Sequence, residues 1–136
     1  MPPHRDIDRL NANFPPFIPL LGGRVKEADP GARFLVMTFD VSRDFCHSGD
    51  IVQGGFITAM LDAAMSHAVF ASSDDVVGLS SLEISTRYLE VTRSGFLRAV
   101  GQIVRLSYKT AFLDGRLYDA GDRLLATAHS VAKISR

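Results

Sequence analysis

The sequence predicts an α+β domain in which an antiparallel β-sheet wraps around one long central α-helix. Three observations carry that expectation: a single apolar run of helical length at residues 54–71, period-two segments on either side of it, and turn-forming breaks too short for parallel crossovers.

Each element follows in chain order. Residues 5–14 place Ile7, Leu10 and Phe14 at three- and four-residue spacing and stop at Pro15-Pro16, which predicts a short helix. Residues 1–20 thus form an N-terminal helix and lead-in to the domain. After Gly22-Gly23, residues 24–28 and 33–41 flank Asp29-Pro30-Gly31 and predict a hairpin. Residues 54–71 hold Phe56, Ile57, Met60, Leu61, Met65, Val69 and Phe70 among alanines. A helix apolar on most faces is buried on most faces, and 18 residues span about 27 Å, enough to cross a small sheet. Beyond it, Leu82, Ile84, Thr86 and Tyr88 alternate with Glu83, Ser85 and Arg87, and strands are expected at 96–108, 111–118 and 124–129. The breaks Arg93-Ser94-Gly95 and Asp119-Ala120-Gly121-Asp122 predict a consecutive antiparallel meander.

Composition narrows the function. With 136 residues, 46% hydrophobic and 22% charged, the chain suits one domain spanning 1–136. Its 15 basic and 15 acidic residues balance, and the basic ones are scattered singly, which argues against nucleic acid and anionic membranes as partners. The first residues lack a charged region followed by an apolar run, and no stretch reads as a membrane span of about 20 residues, so a cytoplasmic location is expected. Cys46 is the sole cysteine, which rules out an internal disulfide and offers no zinc-binding spacing; no metal and no separate cofactor are expected.

The chemistry concentrates between His47 and Ser66. Gly54 and Gly55 open the long helix, where unpaired backbone N–H groups and the positive end of the dipole can press against a ligand carbonyl. The same pair equally permits a tight loop-to-helix entry. Asp62 interrupts an otherwise apolar run, with Thr58 four residues before and Ser66 four residues after it. That stripe is either the solvated edge of a buried helix or a partly buried carboxylate working as base or nucleophile, with a hydroxyl to orient it. Eight residues separate Gly54 from Asp62, about 12 Å along one helix, so two groups acting on one carbonyl would come from different subunits. His67, five residues from Asp62, is expected to face elsewhere as a satisfied core or interface histidine.

This segment resembles the hotdog thioesterase signature, in which an Asn or His precedes His-Gly-Gly and an acidic residue follows eight positions after the first glycine. The likeness runs from Pro16-Phe17-Ile18-Pro19 through Tyr88-Leu89 and Thr110-Ala111-Phe112 to the final strand. It is similar to the phenylacetic-acid-degradation type of acyl-CoA thioesterase within the 4-hydroxybenzoyl-CoA thioesterase superfamily. The resemblance implies a homotetramer, built as a dimer of dimers, with active sites at the subunit interface. It also implies that Gly54 donates its N–H to a thioester carbonyl while Asp62 of the partner subunit activates water or attacks the carbon. Gln53 stands where the family usually has His and cannot titrate, which weakens a related dehydratase reading; His47 stands where the family often has Asn. Gln53 joins Asp62 and Gly54 as a catalytic candidate, and His47, Gly55, Thr58 and Ser81 are substrate-binding candidates. Ser81 and His47 also read as an ordinary strand-start hydroxyl and a loop histidine. Arg87, Arg105 and Lys109 are candidates for the phosphates of coenzyme A, which enters as part of the substrate. Glu90-Val91 replaces the family's usual Arg-Pro and removes a cation from the expected path. Phe56, Met60 and Met65 are expected to line an acyl tunnel. A non-catalytic protein that binds or senses acyl-CoA is the alternative.

Overall fold

The computed structural model describes residues 3–136, with side chains from residue 7 onward; Met1 and Pro2, counted in the expected domain, lie outside it. Its elements are helix α1 (Pro3–Ala12), the helical turn α2 (Phe17–Leu20), strands β1 (Gly23–Asp29) and β2 (Phe34–Val41), and a short hairpin of β3 (Cys46–Ser48) and β4 (Ile51–Val52). Helix α3 (Gly54–Ser72) follows, then β5 (Gly78–Tyr88), β6 (Gly95–Leu106), β7 (Thr110–Asp119) and β8 (Leu124–Ser135).

Helix α3 is apolar around most of its circumference because the sheet curls about it. Met60, Leu61, Ala64, Met65 and Val69 are wholly buried against Leu35, Met37, Phe39, Leu97, Leu113 and Leu117. Two glycines allow the close approach. A Cβ on Gly101 in β6 would lie 2.2 Å from the Ala64 carbonyl oxygen, and one on Gly115 in β7 would lie 3.3 Å from Leu61 and Met65 side-chain atoms. By length and composition alone, α3 could cross a membrane, contrary to the sequence reading that no stretch approaches such a span. Its burial inside the sheet marks it as the core helix of the domain.

At the sheet's first edge, the Asn11 side chain pins α1 to β1. Its Oδ1 accepts from the Val25 N–H at 2.7 Å and its Nδ2 donates to the Val25 carbonyl at 3.1 Å. The expected hairpin of β1 and β2 is present, with Arg33 in the left-handed region at φ 60° ending the turn.

The strand order is β1-β2-β6-β7-β8-β5, which corrects the expected meander. Strands β6, β7 and β8 are consecutive neighbours, but β5 pairs with β8 at the far edge. The six residues 89–94 do not turn back. They run extended across the end of the sheet, tethered where the Leu89 and Glu90 N–H groups reach the Leu125 carbonyl and the Val52 N–H reaches the Thr92 carbonyl. Six extended residues reach about 20 Å, more than the roughly 14 Å of three strand spacings, so the passage is long enough. A bulge between Ser81 and Glu83 breaks the alternation expected of β5 and leaves Leu82 exposed.

Candidate active site

The stripe Thr58, Asp62, Ser66 lies half-buried on the flank of α3 that faces β5. It is a bonded polar seam and not a solvated edge. Ser81 on β5 donates its hydroxyl to Asp62 Oδ1 at 3.1 Å, and the Ser66 hydroxyl lies near the same carboxylate, one helical turn on. Burial pushes the Asp62 carboxyl above its ordinary value; the Ser81 and Ser66 hydrogen bonds and the nearby His67 ring pull the other way without cancelling the rise.

The N-terminal end of the seam is held by hydroxyls. Tyr88, the last residue of β5, donates its phenol to the Gly54 carbonyl at 2.9 Å, while Thr58 Oγ1 lies 2.9 Å from both the Tyr88 oxygen and Thr86 Oγ1. Tyr88 has one proton and spends it on the carbonyl, so Thr58 donates to Tyr88 and Thr86 donates to Thr58. The Tyr88 ring also lies against Gly54, 3.2 Å from where a Cβ would stand. The first residue of α3 is therefore fixed from above by an aromatic ring and from the side by a hydrogen bond. Local pattern marked Tyr88 only as an inward position on a strand; its task depends on the placement of β5.

Gln53 is the N-cap of α3. Its backbone is extended at φ −66° and ψ 137°, and its Oε1 accepts from the Gly55 N–H at 2.9 Å. That contact ties up Gly55, whereas the Gly54 N–H has no partner among the described residues and sits at the positive end of the helix dipole. The helix is continuous from Gly54 to Asp62, so the free N–H and the carboxylate of one chain stand about 12 Å apart. They border different depressions. One of about 430 Å³ includes Gly54, Ile57, Tyr88 and Val91. The other, a cavity of about 580 Å³, opens beside Asp62 and is walled by Leu10, Phe17, Phe70, Val76 and Leu79.

The remaining candidates are dispersed. His47 on β3 is exposed and its Nδ1 bonds Ser48 Oγ at 2.8 Å. Arg87 pairs opposite Thr127 of β8, while the Lys109 carbonyl accepts from the Ile134 N–H and Arg105 lies opposite Phe112. Seven strand residues separate Thr127 from Ile134, about 23 Å, so Arg87 and the Arg105–Lys109 pair do not meet within one chain. Met60 and Met65 are wholly buried in the core, which corrects their expected place in a tunnel, and Phe56 packs on Phe45, away from the cavity beside Asp62. His67 is a core histidine bonded to the Ala63 carbonyl, as expected, but it also borders the same cavity as Asp62. Among the described residues no group of three or more His, Cys, Asp or Glu is placed to hold a metal.

A model of the thioesterase superfamily matches residues 49–126, a segment that begins before the N-cap of α3 and runs into β8. The chain belongs to the thioesterase superfamily. Among solved structures, this thioesterase is similar to a phenylacetic acid degradation-related protein of Ralstonia eutropha, with a TM-score of 0.86 and 26% identity over 97% of this chain and 99% of that one. The PaaI protein of E. coli, from the phenylacetic acid degradation operon, shares the fold at a TM-score of 0.84 and 15% identity, over 98% and 96% of the two chains. A Haemophilus influenzae thioesterase does so at 0.83 and 16%, over 96% and 90%. No curated protein matches the sequence. The architecture is the hotdog fold, a sheet wrapped around α3, and the α+β class expected from the sequence holds.

Proposed function

We propose that this thioesterase hydrolyses acyl-CoA thioesters at sites shared between two subunits. The carrying observation is Asp62: a half-buried carboxylate with raised proton affinity, bonded by Ser81 beside a cavity that Leu10, Phe17, Phe70, Val76 and Leu79 partly wall. The Gly54 N–H of one subunit donates to the thioester carbonyl oxygen and Asp62 of the partner subunit serves the carbonyl carbon, because one chain holds these groups about 12 Å apart. Strand β5, an edge strand with an unpaired side, suits pairing with a second copy, and the assembly is a homotetramer built from such dimers.

Asp62 removes a proton from water, whose oxygen adds to the carbonyl carbon; the resulting oxyanion rests on the Gly54 N–H and collapses with cleavage of the C–S bond. The proton on Asp62 then passes to the departing CoA thiolate. In the variant route the carboxylate itself adds to the carbon, the C–S bond breaks to release the CoA thiolate, and water hydrolyses the resulting anhydride, its proton passing to the thiolate. Gln53 acts as a cap that leaves Gly54 free, with its Nε2 available to substrate or water, and Tyr88 and Thr58 hold the donor end in place. His47, Arg87, Arg105 and Lys109 reach substrate only from positions set by assembly.

The test is release of free thiol from a panel of straight-chain and aromatic acyl-CoA esters by wild type and Asp62→Asn. Turnover by the wild type with a fall in kcat of about a hundredfold or more in the variant supports the reading. Tight binding of acyl-CoA with no turnover by the wild type would replace it with that of a non-catalytic acyl-CoA binder.

A further inference from the structure

Apolar residues make up much of the wall of the cavity beside Asp62, Arg9, Asn13, Ser73 and Asp74 also line it, and one imidazole there has no part in the mechanism. His67, on α3 five residues beyond Asp62, is 8% exposed and borders this cavity. Its Nδ1 lies 2.7 Å from the Ala63 carbonyl oxygen, which can only accept, so Nδ1 carries the proton. Phe14 and Phe70 meet the imidazole edge-on at centroid distances of 5.1 and 5.5 Å and fix its plane. Burial holds the ring's pKa below its ordinary value, so it is neutral near pH 7 and Nε2 presents a lone pair. No side chain or backbone group among the described residues hydrogen-bonds Nε2. Thr92 Oγ1 and Ser130 Oγ are the fully enclosed side-chain polar atoms left without partners, and Nε2 is not among them, so it opens onto the cavity.

We propose that His67 is a specificity-determining residue whose Nε2 accepts a hydrogen bond from a hydroxyl on the acyl group, so that the cavity selects hydroxylated acyl groups over their plain counterparts. The inference rests on the reading of Asp62 as the group that acts on the thioester. Five helical residues put the imidazole about 7.5 Å of axial rise beyond the carboxylate, so the hydroxyl belongs on the distal part of a medium-length acyl group. An ammonium would be drawn to the Asp62 and Asp74 carboxylates that also line the cavity, so the donor left for Nε2 is a neutral one. A plain acyl chain would strip water from Nε2 and leave it unpaired, which is where discrimination arises.

Thiol release is measured with butanoyl-, hexanoyl- and octanoyl-CoA, each with and without a terminal hydroxyl, for wild type and His67→Phe. The expected result is a wild-type kcat/KM ratio favouring the hydroxylated ester about tenfold or more at one chain length. In His67→Phe that ratio falls to about one, through a loss of kcat/KM on the hydroxylated ester. A ratio near one at every length in the wild type, or a ratio that survives in the variant, overturns the proposal.

Calorimetric binding of the matching free acids separates this inference from the function it rests on. If no ester is turned over, a preference for the hydroxy acid that is lost in His67→Phe upholds the pocket assignment while the thioesterase reading falls, and equal affinities sink the assignment. Should His67→Phe not fold, the nitrogen resonance of wild-type His67 Nε2 decides: it must move on adding the hydroxy acid and stay in place with the plain acid.

Discussion

At the scale of single residues, Asp62 is a carboxylate whose proton affinity is raised by its surroundings. Burial raises its proton affinity, and Ser81 and Ser66 restrain that rise by bonding the ionised form. Ser81→Ala removes one restraint, so the acid limb of the kcat/KM–pH profile moves to higher pH; an unmoved limb would separate Asp62 from the chemistry. The same burial has a cost in stability. Because the folded state raises the pKa, its stability contribution is complete below the titration of the unfolded carboxyl and is lost as pH rises through the folded value. Asp62→Asn should therefore melt above wild type near about pH 7, and the difference should vanish below about pH 3, as thermal denaturation at the two pH values would reveal. Asp62 was legible in the sequence because one carboxylate interrupts a long apolar run at helical spacing from two hydroxyls. The cavity-facing edge of His67 was not, since helical spacing from Asp62 says nothing about where α1 and the start of β5 leave open space.

At the scale of elements, the long helix was the clearest signal and the edge strand the least. Helix α3 begins at Gly54 as expected and ends one residue later than predicted, because its start is capped and its apolar surface is continuous. Strand β5 was correctly read as a strand but assigned the wrong neighbour, since the length of the 89–94 connection fits both a turn and an extended passage along the sheet's end. The bulge that exposes Leu82 has no counterpart in composition either. What lets the helix rest on the sheet is Gly101. A methyl group there would press on the Ala64 carbonyl, and neither backbone can yield cheaply. Gly101→Ala should lose about 2–3 kcal/mol in urea unfolding. Gly121→Ala, in an exposed turn whose nearest atom to a new Cβ is an Asp119 carboxylate oxygen at 3.4 Å, should be near neutral.

At the scale of the whole molecule, the proposed division of the site between subunits makes a prediction that no single chain could satisfy. Gly54→Pro deletes only the unpaired N–H: the position is the first of the helix, where proline is tolerated, and Gln53 before it already has the extended backbone that proline requires. The new Cβ needs the Tyr88 side chain to yield by only a few tenths of an ångström. Alone, Gly54→Pro should lose about a hundredfold in kcat, and Asp62→Asn should lose as much. Refolded together in equal amounts, the two should recover roughly a quarter of wild-type activity, because half of randomly formed dimers are mixed and each of these has one intact site. No recovery would place both groups in one chain's site.

The position of β8 between β7 and β5 also sets an order of assembly. Strand β5 is synthesised well before β8 but has no partner in the sheet without it. On the ribosome, Ser81 therefore waits some fifty residues for the strand that will hold it beside Asp62, with an unpaired, partly apolar ribbon exposed in the meantime. The carboxylate is set early, inside a helix that can form locally, whereas its hydroxyl partner arrives only when the last strand closes the sheet. A nascent chain arrested before Leu124 would carry Asp62 without the strand that holds Ser81 against it.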